Sequence, residues 1–283
     1  MKHWILHLKE SFPELGENGK DPTLEVCLPE TMTEMGRENE KRPCMVVLPG
    51  GAYRFCSERE ADPIGSFFYA GGFNVFILRY SVAPHRFPAA LCETAAAVEL
   101  IVRNREEWHC DTDKIAMIGF SAGGHLAAHY ANAYDHPLVR RLFPESRGVN
   151  ACLLCYPVIT ADLTDGHQES FENLAGHAPI TEKEREEFSC ENMVSSRTPP
   201  TFLWNTFSDE LVPVYNTLRY AEKLGRCGVP FELHVFPWGE HGLATADRLT
   251  CDDLTPERAR NHMWMDCAMS WLENVFAGKA SAD

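Results

Sequence analysis

Apolar positions cluster in short blocks separated by polar turns, and the blocks differ in kind. Residues 43–48, 73–78, 114–118, 151–155, 201–204 and 231–236 read as strands, most of them apolar with little alternation. Such runs are expected of strands covered on both faces. Between them, residues 89–105, 122–134, 213–224 and 256–276 have the length and Ala/Leu content of helices. Strands alternating with helices imply βαβ units and a mostly parallel sheet with helices on both faces, so the fold class is α/β. The segment 159–200 breaks the rhythm: it is polar, carries the charge run 182–187 and ends in Thr198-Pro199-Pro200. About forty residues exceed a plain strand connection, so a lid or cap inserted into a single domain spanning 1–283 is expected. Its apolar residues Phe171, Leu174, Phe188 and Met193, separated by charges, predict one packed face and one solvated face.

With 45% hydrophobic residues and 11% aromatic residues the chain has material for a large core. Its net charge of −15 repels phosphate backbones and anionic lipid heads, and the cations form no run longer than a pair such as Arg140-Arg141. Nucleic-acid and membrane partners are therefore not expected. The first ten residues, broken by His7 and Lys9, lack the form of a signal-peptide core, and no apolar run approaches the ~20 residues that span a bilayer. Eleven cysteines, many inside apolar runs, fit a reducing cytoplasm. Cys152 and Cys155 form a CxxC, but in a strand residues three apart face opposite sides, so core packing is expected rather than a redox or zinc pair.

Gly119-Phe120-Ser121-Ala122-Gly123 fits G-x-S-x-G, preceded by a strand and followed by a helix. That context puts the Ser121 hydroxyl on a tight turn beside a helix N-terminus, where a nucleophile is expected. A serine needs a base, and the base needs a carboxylate to fix its tautomer. His241, in the glycine-flanked loop Pro237–Gly242 after the last strand, is the expected base; His125, one turn into the helix, and His234, inside a strand, fit less well. The acid is expected after residues 201–204, where Asp209 and Glu210 stand side by side. Asp209, shorter and just before the apolar Leu211-Val212 pair, is favoured, with Glu210 as the alternative and helix capping as its other use. Acyl transfer also needs N–H donors for the oxyanion. Ala122 follows the nucleophile, and Gly51 and Ala52 in the early loop Pro49-Gly50-Gly51-Ala52-Tyr53 are the expected partners.

At these residues the chain resembles α/β-hydrolase esterases of the acetylesterase and acetylxylan-esterase-like type, related to the hormone-sensitive-lipase and feruloyl-esterase-like groups. The resemblance rests on Leu-Pro-Gly-Gly-Ala-Tyr, Leu78-Arg-Tyr-Ser-Val-Ala-Pro84, Gly-Phe-Ser-Ala-Gly-Gly-His-Leu-Ala, Thr198-Pro-Pro-Thr-Phe-Leu-Trp204, Asp209 with Val212-Pro-Val, and His241-Gly-Leu243. Asn205, where relatives often carry His, and Pro49 and Ala52 in the oxyanion loop depart from the pattern. The resemblance implies a serine ester hydrolase that removes short acyl groups, chiefly acetyl, from small esters, acetylated sugars or xylo-oligosaccharides, without a metal or organic cofactor. Tyr53, Tyr156 and Trp238 lie at loop positions where a ring could stack on a sugar or wall an acyl pocket. Two alternatives keep the fold: a prolyl-peptidase-like serine peptidase, and a non-catalytic small-ligand receptor, which the presence of His241 disfavours. Assembly into a homo-oligomer is left open.

Overall fold

The computed structural model describes residues 1–16 and 21–278. Eight strands form one sheet: β1 (Lys2–His7), β2 (Thr23–Leu28), β3 (Arg42–Leu48), β4 (Asn74–Arg79), β5 (Cys110–Phe120), β6 (Ala151–Cys155), β7 (Thr201–Thr206) and β8 (Phe231–Phe236). Their order is β1-β2-β4-β3-β5-β6-β7-β8. The pairs from β4 to β8 are parallel, while β1 pairs with β2 and β2 with β4 antiparallel. The expected α/β architecture with a mostly parallel sheet therefore holds, extended by an antiparallel edge. The ten helices among the described residues are α1 (Leu8–Ser11), α2 (Asp62–Ala70), α3 (Ala89–Arg103), α4 (Ala122–Ala133), α5 (Pro137–Leu142), α6 (Gln168–Ala175), α7 (Glu182–Phe188), α8 (Tyr215–Arg226), α9 (Pro256–Arg260) and α10 (Met263–Phe276). None is long and apolar enough to cross a membrane.

Burial across the sheet explains the hydropathy pattern. The middle strands β5, β6 and β7 end in fully buried runs, β2 alternates buried with half-buried positions, and the outer β1 is largely exposed. Each inner strand feeds two cores. Val46 belongs to the buried cluster that holds Leu126 of α4 and Leu224 of α8 on one face, whereas Val47 belongs to the one that holds Phe68 of α2 and Trp264 of α10 on the other. Cys152 and Cys155 divide between these faces, as the strand period requires, and all eleven cysteines are free thiols.

Three departures from the sequence reading have local causes. The sequence of β1 shows only a broken apolar stretch, yet every residue from Lys2 to His7 pairs with β2, because edge pairing needs backbone groups and no continuous apolar face. The helix α2 went unread because its apolar residues Ile64, Phe67 and Phe68 lie just ahead of the next strand. The long C-terminal helix is two, α9 and α10, separated at Asn261-His262; the buried Asn261 donates to the Trp238 carbonyl at 2.8 Å.

Two histidines of α4 lie inside this core. His125 links Tyr53 Oη (2.7 Å from Nδ1) to the Phe188 carbonyl (2.8 Å from Nε2), and His129 stacks on Phe87. Burial holds His125 down at about 4, opposed only by the Phe188 carbonyl, and holds His129 well below the ordinary value. An unfolded histidine titrates near 6.5, so between about 6.5 and 4 the unfolded chain binds the extra proton and the folded chain does not. Stability contributed by His125 is therefore complete above about 6.5 and is lost as pH falls toward 4, on the order of 3 kcal/mol in full. We predict that Tm falls across this range and that His125→Gln flattens the slope; parallel slopes for the two proteins would contradict a buried neutral His125.

Candidate active site

The turn from β5 into α4 is built by close backbone approach. A Cβ on Gly119 would lie 2.2 Å from the Gly123 carbonyl oxygen, and one on Gly123 would lie 2.2 Å from Leu48 O and 2.4 Å from Pro49 O. No side chain fits at either place. Between them Ser121 adopts φ 52°, ψ −119°, with its N–H donating to Cys155 O at 3.0 Å and its carbonyl accepting from His125 and Val158. The chain thus leaves the sheet so sharply that the Ser121 side chain stands clear of both strand and helix.

Ser121, Asp209 and His241 converge as the sequence predicts. His241 Nε2 is 2.8 Å from Ser121 Oγ, and its Nδ1 is 2.7 Å from Asp209 Oδ2. The Asp209 side chain is 1% exposed; its other oxygen accepts the N–H groups of Leu211 (3.0 Å) and Val212 (2.9 Å). One carboxylate oxygen is thereby locked to the backbone, leaving the second aimed at the imidazole. Glu210 is exposed and makes no hydrogen bond or ion pair with His241; it lines the depression beside Trp238. His125 and His234 have other partners: His125 bridges Tyr53 and Phe188, and His234 meets Glu232 at 2.8 Å.

The N–H groups of Gly51, Ala52 and Ala122 meet no acceptor among the described residues, nor do those of Tyr53 and Gly123, whereas Gly50, Arg54 and Ser121 donate to Glu60, Gly51 and Cys155. Ala52 (φ 54°) and Tyr53 (φ 54°) both lie in the left-handed region, at the middle of a turn that the N–H groups of Arg54 (2.8 Å) and Phe55 (3.2 Å) close onto Gly51 O, and Gly51 and Ala52 line the cleft together with Ser121. Unengaged donors beside a serine hydroxyl are what an oxyanion site requires.

An open cleft of about 690 Å³ reaches Ser121 and His241 and is lined by Gly51, Ala52, Arg54, Phe55, Glu58, Arg59, His167, Glu169 and Leu211, among others. Two tyrosines expected there are elsewhere. Tyr53 and Tyr156 are each 2% exposed, because Tyr53 Oη bonds His125 and Tyr156 Oη bonds Glu60 at 2.7 Å while accepting from the Ala244 N–H at 3.0 Å. Neither offers a ring to solvent, so both stabilise the site from beneath. Trp238 is 57% exposed and lines the depression beside His241. Sequence reasoning missed Glu60, His167 and Glu169. His167 and Glu169 sit in the insert without a motif to mark them; His167 is held below its usual range by burial first and then by His241.

The insert between β6 and β7 carries α6 and α7. Its Phe171, Leu174 and Phe188 are buried against the body, with Phe171 edge-on to His125 at 5.2 Å, and Met193 is half-buried. Asn173 donates to Ala52 O at 2.8 Å, and Glu169 pairs with Arg54 at 2.8 Å. Among the described residues the one cluster of three metal-ligand types within 4.8 Å is His3, Glu25 and Cys27, on the antiparallel edge of the sheet and not in this cleft.

We predict that Gly123→Ala lowers stability by about 3 kcal/mol or more, since backbone meets the new methyl group on two sides. Gly228→Ala, at φ +70° in open space, should cost only about 1–2 kcal/mol. Urea midpoints measure both; equal losses would contradict the close approach at Gly123.

Comparison with known proteins agrees with this geometry. A solved acetyl ester-xyloside bifunctional hydrolase from Caldicellulosiruptor lactoaceticus superimposes with a TM-score of 0.81 and 32% identity, covering 98% of this chain and 97% of that one. The endo-1,4-beta-xylanase B of Butyrivibrio fibrisolvens is 36% identical over 231 residues, which are 78% of this chain and 35% of that protein. An acetylxylan esterase of Xylanibacter ruminicola is 26% identical over 249 residues, 87% of this chain and 48% of the relative. The chain thus spans less than half the length of these two curated relatives. The BD-FAE family model matches residues 32–224, from the segment before β3 into α8, including the serine turn and Asp209. With the α/β-hydrolase fold of its structural relatives and a match over most of its length, this chain belongs to the BD-FAE family.

Proposed function

We propose that the protein is a serine carboxylester hydrolase that removes short acyl groups, acetyl above all, from acetylated sugars or xylo-oligosaccharides. The observation that carries this reading is the Ser121–His241–Asp209 relay, at 2.8 and 2.7 Å, facing the unengaged N–H groups of Gly51, Ala52 and Ala122. In this reading His241 Nε2 takes the Ser121 proton as Oγ attacks the ester carbonyl, and Asp209 steadies the imidazolium. The three N–H groups receive the negative charge that develops on the carbonyl oxygen. Collapse expels the alcohol, which takes the proton from His241, and leaves an acyl-Ser121 that water then hydrolyses through the same steps.

Charged and hydrogen-bonding side chains along the cleft, Arg54, Arg59, His167 and Glu169, support a hydroxyl-rich alcohol portion. The exposed Trp238 is the remaining candidate for stacking on a sugar ring. The names of the acetylxylan esterase and the acetyl ester-xyloside hydrolase point the same way. Helices α6 and α7 act in this reading as a cap whose packed face narrows the acyl side. Eleven free thiols support a reducing, cytoplasmic setting.

Four outcomes test this. Ser121→Ala and His241→Ala should each abolish ester turnover, and the double variant should be hardly worse than either, because the residues act as one unit. Asp209→Asn should cost a factor on the order of 10⁴ through the wrong imidazole tautomer, whereas Glu210→Gln stays mild; full turnover by Ser121→Ala would sink the mechanism. On p-nitrophenyl esters, kcat/KM should peak at C2 to C4 and fall steeply by C8, as each methylene left unburied forfeits roughly 0.8 kcal/mol. Acetylated xylo-oligosaccharides should release acetate; a preference for C8 chains would favour a lipase-like groove instead.

A further inference from the structure

Glu60 is 3% exposed and ends the short turn Glu58–Glu60, yet among the described residues no Lys, Arg or His lies within ion-pair distance of its carboxylate. A buried acid without a counter-ion is a poor stabilising device, since desolvation is offset only by hydrogen bonds. Both its oxygens are engaged. Oε2 accepts the Gly50 N–H at 2.8 Å, and Oε1 accepts the Tyr156 hydroxyl at 2.7 Å.

The Gly50 bond acts on the oxyanion loop. The Pro49–Gly50 peptide is gripped at both ends, its N–H by Glu60 and its carbonyl by the Tyr80 hydroxyl at 2.6 Å. This plane immediately precedes Gly51 and Ala52, so its orientation sets where their N–H groups point. Space is equally constrained: a methyl group on Gly50 would lie 2.7 Å from Glu60 Oε2 and 2.9 Å from Ser121 Cβ. The second bond acts on the histidine loop. Tyr156 Oη passes the contact on to the Ala244 N–H at 3.0 Å, three residues beyond His241, and its ring stands edge-on to the His241 ring at 5.0 Å.

We propose that Glu60 is a positioning residue that couples the oxyanion loop to the histidine loop, holding the Gly51 and Ala52 donors and the His241 imidazole in register with Ser121. It touches no reacting atom; it acts through the Gly50 peptide and through Tyr156. This rests on the hydrolase reading given above. A misplacement of about 1 Å at such a site costs on the order of 10² in rate, which sets the expected size.

The experiment compares wild type with Glu60→Gln, Glu60→Ala and Glu60→Asp. It measures kcat and KM on p-nitrophenyl acetate, normalised to sites labelled by a fluorophosphonate probe, and amide exchange by mass spectrometry. Glu60→Ala should lower kcat about 10²-fold with KM changed less than about threefold. Glu60→Gln should recover to within about tenfold of wild type, because its amide oxygen still accepts the Gly50 N–H. Exchange should rise in residues 49–54 and 241–246 together. If Glu60→Ala does not fold, Glu60→Asp, too short to span Gly50 and Tyr156, should show the same kcat loss beside an active Glu60→Gln. Unchanged kcat in the variants, a loss confined to KM, or exchange rising in only one segment would overturn the proposal. Should wild type hydrolyse no ester, the functional reading fails, while the exchange comparison still decides whether Glu60 holds the two loops.

Discussion

At the end of β5 the chain turns through Ser121 at φ 52°, ψ −119°, a backbone conformation that an L-residue with a side chain holds at a cost of about 1–3 kcal/mol. The surroundings compel it. Its N–H is tied to Cys155 at the end of β6, its carbonyl accepts from Val158 beyond that strand, and Gly119 and Gly123 let the strand and helix close to contact. The turn is consequently held by three neighbouring chain segments at once: β3 through Leu48 and Pro49, β6 through Cys155, and the first turn of α4. Loosening any of them would let Ser121 relax toward an ordinary conformation and swing its hydroxyl out of line with His241.

Because β3, β5, β6, β7 and β8 run parallel, their following loops all emerge at one edge of the sheet, and the site is assembled there from segments distant in sequence. The rigid sheet brings these loops near one another, and buried hydrogen bonds between them set the final geometry. Asp209 is fixed by its own loop's N–H groups, and Tyr156 joins Glu60 to Ala244. Tyr53 reaches across to His125, which in turn holds Phe188 of the insert. All of these bonds but the Leu211 N–H to Asp209 lie away from water, where an unpaired polar group is costly, so the network has few alternative arrangements.

The insert joins the site by the same means. Its apolar side chains pack onto His125 of α4 and onto Phe87, while Asn173 and Glu169 reach the loop after β3 at Ala52 and Arg54. The Arg54–Glu169 pair is largely solvent-exposed and contributes little to stability. Its effect is on shape, placing opposite charges across the mouth of the cleft.

The sequence alone determined the parallel α/β core, because fully buried strands must be continuous apolar runs, and it located Ser121, Asp209 and His241, because a nucleophile turn and its two partners follow strands in a readable order. It also anticipated that Cys152 and Cys155 would separate, since strand period is local geometry. It did not reveal β1, whose pairing rests on backbone groups that carry no side-chain signature. Nor did it show that Tyr53 and Tyr156 face inward, or that Glu60 is buried beside Gly50. A tyrosine after a strand looks the same whether its hydroxyl meets a substrate or a partner 72 or 96 residues away, and a glutamate in a polar turn looks solvated. Which side chains line the cleft and which support it from below was decided only by long-range packing, because burial depends on what the rest of the chain brings alongside.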